Sequence, residues 1–126
     1  MNKISGEVTT GKEEAQKFLS LKPYKEKIEE EIGFRPFPGT LNLEVRPEER
    51  EKFTEEREAD RIEGFNYEGK DYGGLELYKV ELKGFEAALL DIDRADHGDE
   101  IVEVIASEKL RAELGLEDGD EVKIDG

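Results

Sequence analysis

Gly33-Phe34-Arg35-Pro36-Phe37-Pro38-Gly39-Thr40-Leu41-Asn42-Leu43 carries the chain from the end of a helix, through a stiff Pro-Gly turn, into an alternating strand. In that strand Thr40 and Asn42 stand two residues apart and share one face, while Leu41 and Leu43 share the other. The leucine face belongs to a core. The other face offers a hydroxyl and a carboxamide oxygen, neutral hard ligands suited to a cation that also carries phosphate oxygens. Spacing alone leaves two readings open: a plain turn with an edge strand, or a magnesium-nucleotide site.

Upstream, residues 22–32 read as a helix. Pro23 fits its first turn, Tyr24, Ile28 and Ile32 form an apolar stripe at spacings of four, and Gly33 is a natural stop with Pro36 beyond it. Residues 3–10 alternate as a first strand that ends at Gly11. Downstream, residues 40–46 form the next strand. Residues 47–61 are mostly Glu, Arg and Lys around a lone Phe53, and read as a solvated excursion that has room for a helical turn, with no functional role. Phe65-Asn66-Tyr67 and residues 74–82 flank a Gly-Lys-Asp turn and read as a hairpin. Gly84 turns the chain again into a strand over 85–92, and another strand follows at 100–106. Residues 107–115 read as a short helix with Ser107 as N-cap, Glu108 in the first turn and Gly115 just past the end. Residues 116–124 make a turn into a last strand. There is no internal repeat and no low-complexity tract. Strands outnumber helices and do not alternate with them. The expected fold is therefore mainly β: a small, six-stranded, closed β-barrel with two short helices.

At 126 residues the chain is expected to form a single domain over 1–126, large enough for one modest core. Its hydrophobic fraction of 35% is low, but the persistent alternation argues for a folded chain. The absence of cysteine excludes a disulfide framework and any thiolate chemistry, and a lone histidine, His97, excludes a multi-histidine metal centre. No apolar run is long enough to span a membrane, and Met1-Asn2-Lys3-Ile4-Ser5-Gly6 lacks the apolar centre of a signal peptide. A cytoplasmic location is expected. The net charge of −15 argues against nucleic-acid partners and anionic membranes, and its general effect is solubility. An anionic chain that binds a nucleotide must gather its few cations, with a metal ion, at the phosphates.

Two motifs come close to familiar sites and fail. Gly6-Glu7-Val8-Thr9-Thr10-Gly11-Lys12-Glu13 nearly follows the P-loop pattern G-x-x-x-x-G-K-[ST], with Ala88-Leu89-Leu90-Asp91 as the matching strand. Glu13, however, supplies no hydroxyl to Mg²⁺ and repels phosphate, and residues 6–10 alternate like a strand. The acidic run from Asp91 to Glu100 breaks the EF-hand spacing: Asp96 stands where Gly is needed, and Val102 where Glu is needed. It reads as a charged loop between strands, with contact to a substrate left open.

Gly6-Glu7-Val8 with Gly11, then Phe18-Leu19-Ser20-Leu21 and Tyr24, then Gly33-Phe34, Pro36-Phe37 and Gly39-Thr40-Leu41-Asn42-Leu43 resemble the archaeal CTP-dependent riboflavin kinases. Ile101-Val102-Glu103-Val104-Ile105-Ala106, Lys109-Leu110-Arg111 and Asp118-Gly119-Asp120 are similar to the ending of the same family, although the last motif is shared by other small barrels. The resemblance covers nearly the whole chain, and Gly-Thr-Leu-Asn-Leu is its specific part.

That resemblance implies a six-stranded cradle-loop barrel that transfers the γ-phosphoryl of CTP to the ribityl 5′-hydroxyl of riboflavin, giving FMN and CDP. It implies that Thr40 and Asn42 coordinate Mg²⁺ together with phosphate oxygens. Lys12-Glu13-Glu14-Ala15-Gln16-Lys17 would wrap the nucleotide, and Glu108-Lys109-Leu110-Arg111 would complete its site. Glu103 would contact the flavin, and Ala95 stands where the family commonly has a flavin-contacting Thr.

Lys12, Lys17, Lys109 and Arg111 are the cations available to the phosphates, and amides at the start of the 108–114 helix would add to them. The strands over 75–92 would line an apolar slot for the flavin ring. No catalytic residue is assigned; Glu103 and the carboxylates of the 91–99 loop are the groups that could accept the hydroxyl proton. Two departures stand out: the 12–17 loop lacks the family's further glycines, and Ala95 lacks the hydroxyl. These support an alternative in which the barrel binds flavin or nucleotide without catalysis. A DNA-binding swapped-hairpin barrel conflicts with the strong negative charge. No protein partner is evident.

Overall fold

The computed structural model describes residues 3–10, 19, 21–37, 39–56, 58–92 and 100–125. Along them run β1 (Lys3–Thr9), α1 (Lys22–Ile32), β2 (Leu41–Glu44), α2 (Pro47–Glu55), β3 (Asp60–Ile62), β4 (Phe65–Tyr67), β5 (Lys70–Tyr72), β6 (Leu75–Leu82), β7 (Phe85–Ile92), β8 (Ile101–Ala106), α3 (Leu110–Glu113) and β9 (Glu121–Asp125).

Six strands pair antiparallel in the order β6-β7-β8-β2-β1-β9, and Glu81 of β6 pairs with Asp125 of β9 to close the ring. The expected six-stranded barrel is therefore present. β3 takes the same edge of β6 nearer its start, with Asp60 opposite Leu77 and Ile62 opposite Leu75.

Alternation along the strands divides their apolar side chains between two cores. Ile4, Val8, Leu41, Leu43, Leu89, Val104, Val122 and Ile124 fill the barrel. Leu75, Leu77, Ala88, Leu90 and Ile105 point outward and are covered by Tyr24, Ile28 and Ile32 of α1. The stripe predicted on α1 is thus its buried face. The helix starts on Pro23 and stops at Gly33, whose φ of +83° is the left-handed conformation expected there; its N–H reaches the Glu29 carbonyl. The Tyr24 hydroxyl also donates to the Gly73 carbonyl.

Three expectations are corrected. The 47–61 excursion holds a full helix, α2, and the strand β3, which makes three helices among the described residues rather than two. Phe53, 2% exposed, anchors α2 in the barrel core, and Arg50 reaches Asp91 of β7 at 3.0 Å. One aromatic in a charged segment gives no periodic stripe, which is why the pattern understated this region.

The hairpin also differs. Phe65–Tyr67 pairs with Lys70–Tyr72, not with residues 74–82, through Glu68 and Gly69 at φ 52° and 77°. Two successive positive φ values make the tight turn whose twist suits a two-residue hairpin. Finally, the helix expected over 107–115 is one turn, Leu110–Glu113, with Lys109 at its N-cap and no side-chain cap bond. Ser107 and Glu108 precede it, and Gly115 follows at φ +61° as expected.

Candidate active site

β8, β2 and β1 are neighbours in the barrel, and their antiparallel register brings the end of β8, the start of β2 and the end of β1 to one rim. Thr9 at the end of β1 pairs with Asn42 near the start of β2, and Leu41 pairs with Val104 near the end of β8. The loop leading into β2 is tied to β8 by the Phe37 N–H, which donates to the Ala106 carbonyl at 2.7 Å. Around this rim lies a cavity of about 500 Å³. Thr40 and Asn42 border it from one side, and Glu108, Lys109, Leu110 and Arg111 border it from another. The sequence placed these two groups 66 or more residues apart; the fold sets them on one cavity.

Asn42 is only 3% exposed, so the polar face of β2 is not an open edge. Its Oδ1 has no hydrogen-bond partner. Leaving such an oxygen buried and unpaired costs about 1–3 kcal/mol, a cost that a bound cation would remove. Opposite Asn42 in register is Glu103, fully buried, whose Oε1 accepts a hydrogen bond from Thr40 Oγ1 at 3.0 Å. A hydroxyl that donates to a carboxylate keeps its lone pairs for a cation. Thr40 and Asn42 therefore fit the neutral part of a hard-cation site. Among the described residues no group of three or more His, Cys, Asp or Glu side chains is placed to hold a metal ion.

Arg111 is held in place. Its Nη2 donates to Asp118 Oδ1 at 2.7 Å and its Nη1 to Thr10 Oγ1 at 3.3 Å. Thr10 Oγ1 in turn donates to the Asp118 carboxylate, at 2.9 Å to Oδ1 and 3.1 Å to Oδ2. The Thr10 hydroxyl, and then the guanidinium, hold the Asp118 carboxyl below its ordinary range, so it is ionised at neutral pH. Lys109 is exposed at the cavity edge.

The amides of Ala112 and Glu113 both donate to the Lys109 carbonyl and close the single turn of α3. The strands over 75–92 put Leu75, Leu77, Leu89 and Leu90 into the cores; Val80 and Ala87 border a hollow of about 280 Å³ with Ile32 and Phe34.

Residues 12–17, from Lys12 through Glu13, Glu14, Ala15 and Gln16 to Lys17, and Ala95 with the 93–99 loop lie outside the described residues. Sequence reasoning missed Thr10 and Phe37 as cavity residues and Asp118 as the partner of Arg111. Asp118 had been noticed only as part of a common Asp-Gly-Asp ending.

The family model of CTP-dependent riboflavin kinases, described as a domain of unknown function, DUF120, matches residues 8–125. The chain belongs to this family. It is 41% identical over 126 residues to a riboflavin kinase of Archaeoglobus fulgidus, covering 98% of this chain and 54% of that protein. Its identity to a riboflavin kinase of Methanocella arvoryzae is 42% over 122 residues, 96% of this chain and 55% of that one. A riboflavin kinase of Ignicoccus hospitalis is 37% identical over 123 residues, 96% of this chain and 69% of that protein. The chain thus spans little more than half the length of the first two. In this member of the CTP-dependent riboflavin kinase family, the rim cavity joins the Gly-Thr-Leu-Asn-Leu strand to the Glu-Lys-Leu-Arg segment. None of its described helices is long and apolar enough to cross a membrane.

Proposed function

We propose that residues 1–126 act as one barrel domain with riboflavin kinase activity. The reaction moves the γ-phosphoryl of CTP to the ribityl 5′-hydroxyl of riboflavin and yields FMN and CDP. A bond forms between the ribityl oxygen and the γ-phosphorus, the bond from that phosphorus to the β-γ bridging oxygen breaks, and the hydroxyl gives up its proton. The observation that carries this reading is the buried Asn42 Oδ1 without a hydrogen-bond partner, on a residue that borders the same cavity as Thr40, Lys109 and Arg111.

Phosphoryl transfer asks a protein for alignment and charge neutralisation more than for covalent chemistry. Thr40 and Asn42 would hold Mg²⁺. Once bound, the ion would offset negative charge on the phosphate oxygens. Lys109 and Arg111 draw the polyphosphate into the rim against the chain's overall negative charge. Lys12 and Lys17 would add to this from the preceding loop, with Glu13, Glu14, Ala15 and Gln16 along the nucleotide.

Glu103 holds the Thr40 hydroxyl, and Glu103 and Ala95 are the residues assigned to the flavin. The proton acceptor is left unassigned. The reaction needs no membrane, nucleic acid or protein partner, and fits the cytoplasm.

The test is incubation with riboflavin, Mg²⁺ and each of the four common nucleoside triphosphates in turn, with FMN read by chromatography. FMN should form fastest with CTP, and chelation of the divalent ion should abolish it. FMN with none of the four would overturn the enzymatic reading; bound flavin or nucleotide without turnover would point to a binding barrel.

A further inference from the structure

The turn before β9 brings a carboxylate to the one nucleotide-site cation that the structure shows gripped from two sides among the described residues. We propose that Asp118, together with Thr10, is a positioning residue that fixes the Arg111 guanidinium for contact with the nucleotide's phosphates. This rests on the proposed function in that the ligand is a nucleoside triphosphate.

Three observations carry it. First, Arg111 and Thr10 border the cavity, whereas Asp118 does not: the carboxylate grips the guanidinium without itself lining the site, and each of its two bonded nitrogens, Nη1 and Nη2, carries a second N–H. Second, the contacts close a ring: Arg111 to Asp118, Arg111 to Thr10 and Thr10 to Asp118, at 2.7, 3.3 and 2.9 Å. A planar guanidinium held at two nitrogens loses its rotational freedom before the ligand arrives, so less is lost on binding.

Third, the turn does not need the Asp118 side chain. Gly119 N–H donates to the Val8 carbonyl at 2.8 Å and Val8 N–H to the Asp120 carbonyl at 2.8 Å. Glu117 N–H donates to Asp120 Oδ2 at 2.8 Å, and Asp120 N–H returns to the Glu117 carbonyl at 3.0 Å. The Arg111 and Asp118 side chains are 36% and 58% exposed, and an ion pair so exposed adds little to folding.

A carboxylate near phosphate also repels it. In exposed surroundings that repulsion is screened, while the loss of the charge-assisted contact leaves the guanidinium only its longer bond to Thr10. Ordering is therefore the larger effect, and removal of the carboxylate weakens binding.

The experiment is a double-mutant cycle on CTP affinity, measured calorimetrically with Mg²⁺ on the whole chain and without riboflavin. Asp118→Ala should weaken CTP about tenfold in the native background and less than about twofold when Arg111→Ala is already present. Asp118→Asn, which keeps an acceptor oxygen, should recover most of the loss. The riboflavin KM and the thermal midpoint should stay near native values.

Equal effects of Asp118→Ala in both backgrounds, or tighter binding in the native one, would overturn the proposal while leaving the kinase reading intact. Native protein that binds no nucleoside triphosphate would overturn both.

Discussion

Asn42→Ala is expected to lower turnover by more than about a hundredfold while changing folding stability by no more than about 1 kcal/mol. The two halves of that result have one cause. Asn42 Oδ1 holds no protein partner, so losing that oxygen breaks no native hydrogen bond, and relief of its unpaired burial offsets the packing lost at this buried position. If it exists for a cation, the whole loss falls on the bound state.

Thr40→Ala should be equally damaging to turnover but not equally silent in folding. It takes a donor from the buried Glu103 carboxylate, which should cost about 1–2 kcal/mol of stability. Thr40→Ser restores the hydroxyl and should regain most of the activity. Steady-state kinetics and thermal denaturation on the three variants check this. Native turnover in both Asn42→Ala and Thr40→Ala would remove the pair from the reaction.

Gly6→Val should unfold or badly weaken the barrel, by about 3 kcal/mol or more. Gly6 lies between Ile4 and Val8, on the face of β1 that fills the barrel. A Cβ there would lie 2.9 Å from Val45 Cγ1, 3.0 Å from Leu43 Cβ and 3.1 Å from the Glu44 carbonyl oxygen. Those atoms belong to β2 and its continuation, so the added bulk must pry β1 from β2. The same pairing sets Thr9 against Asn42, so damage would reach the site as well as the core. Gly6→Ala should lose an intermediate amount, about 1–3 kcal/mol. Denaturant titration of both variants provides the check; a native midpoint for Gly6→Val would refute this packing account.

Gly6 also marks what a sequence can and cannot disclose. It opens a near P-loop, and the pattern alone does not say whether a glycine is there for phosphate or for a neighbouring strand; three contacts near 3 Å assign it to packing. The barrel was legible because alternation and turn residues act locally. So was α1, where a proline start, a four-residue stripe and a glycine stop all agree. α2 was not, since its anchoring to the core comes from Phe53 alone.

In the site, Thr40 and Asn42 stood out because they share one short strand. Glu103, 63 residues after Thr40, could be tied to it only through the β2–β8 register. Asp118 was hidden for the same reason: its pairing with Thr10 spans 108 residues and depends on β9 lying beside β1. Contacts made by strands distant in the chain are invisible to local pattern.

The most direct measurement is the anomalous scattering of Mn²⁺ in crystals soaked with CTP and that ion. The account predicts a single peak about 2.0–2.3 Å from both Thr40 Oγ1 and Asn42 Oδ1, shared with phosphate oxygens. Nucleotide seated in the rim with manganese elsewhere, and both side chains directed away from it, would contradict the account.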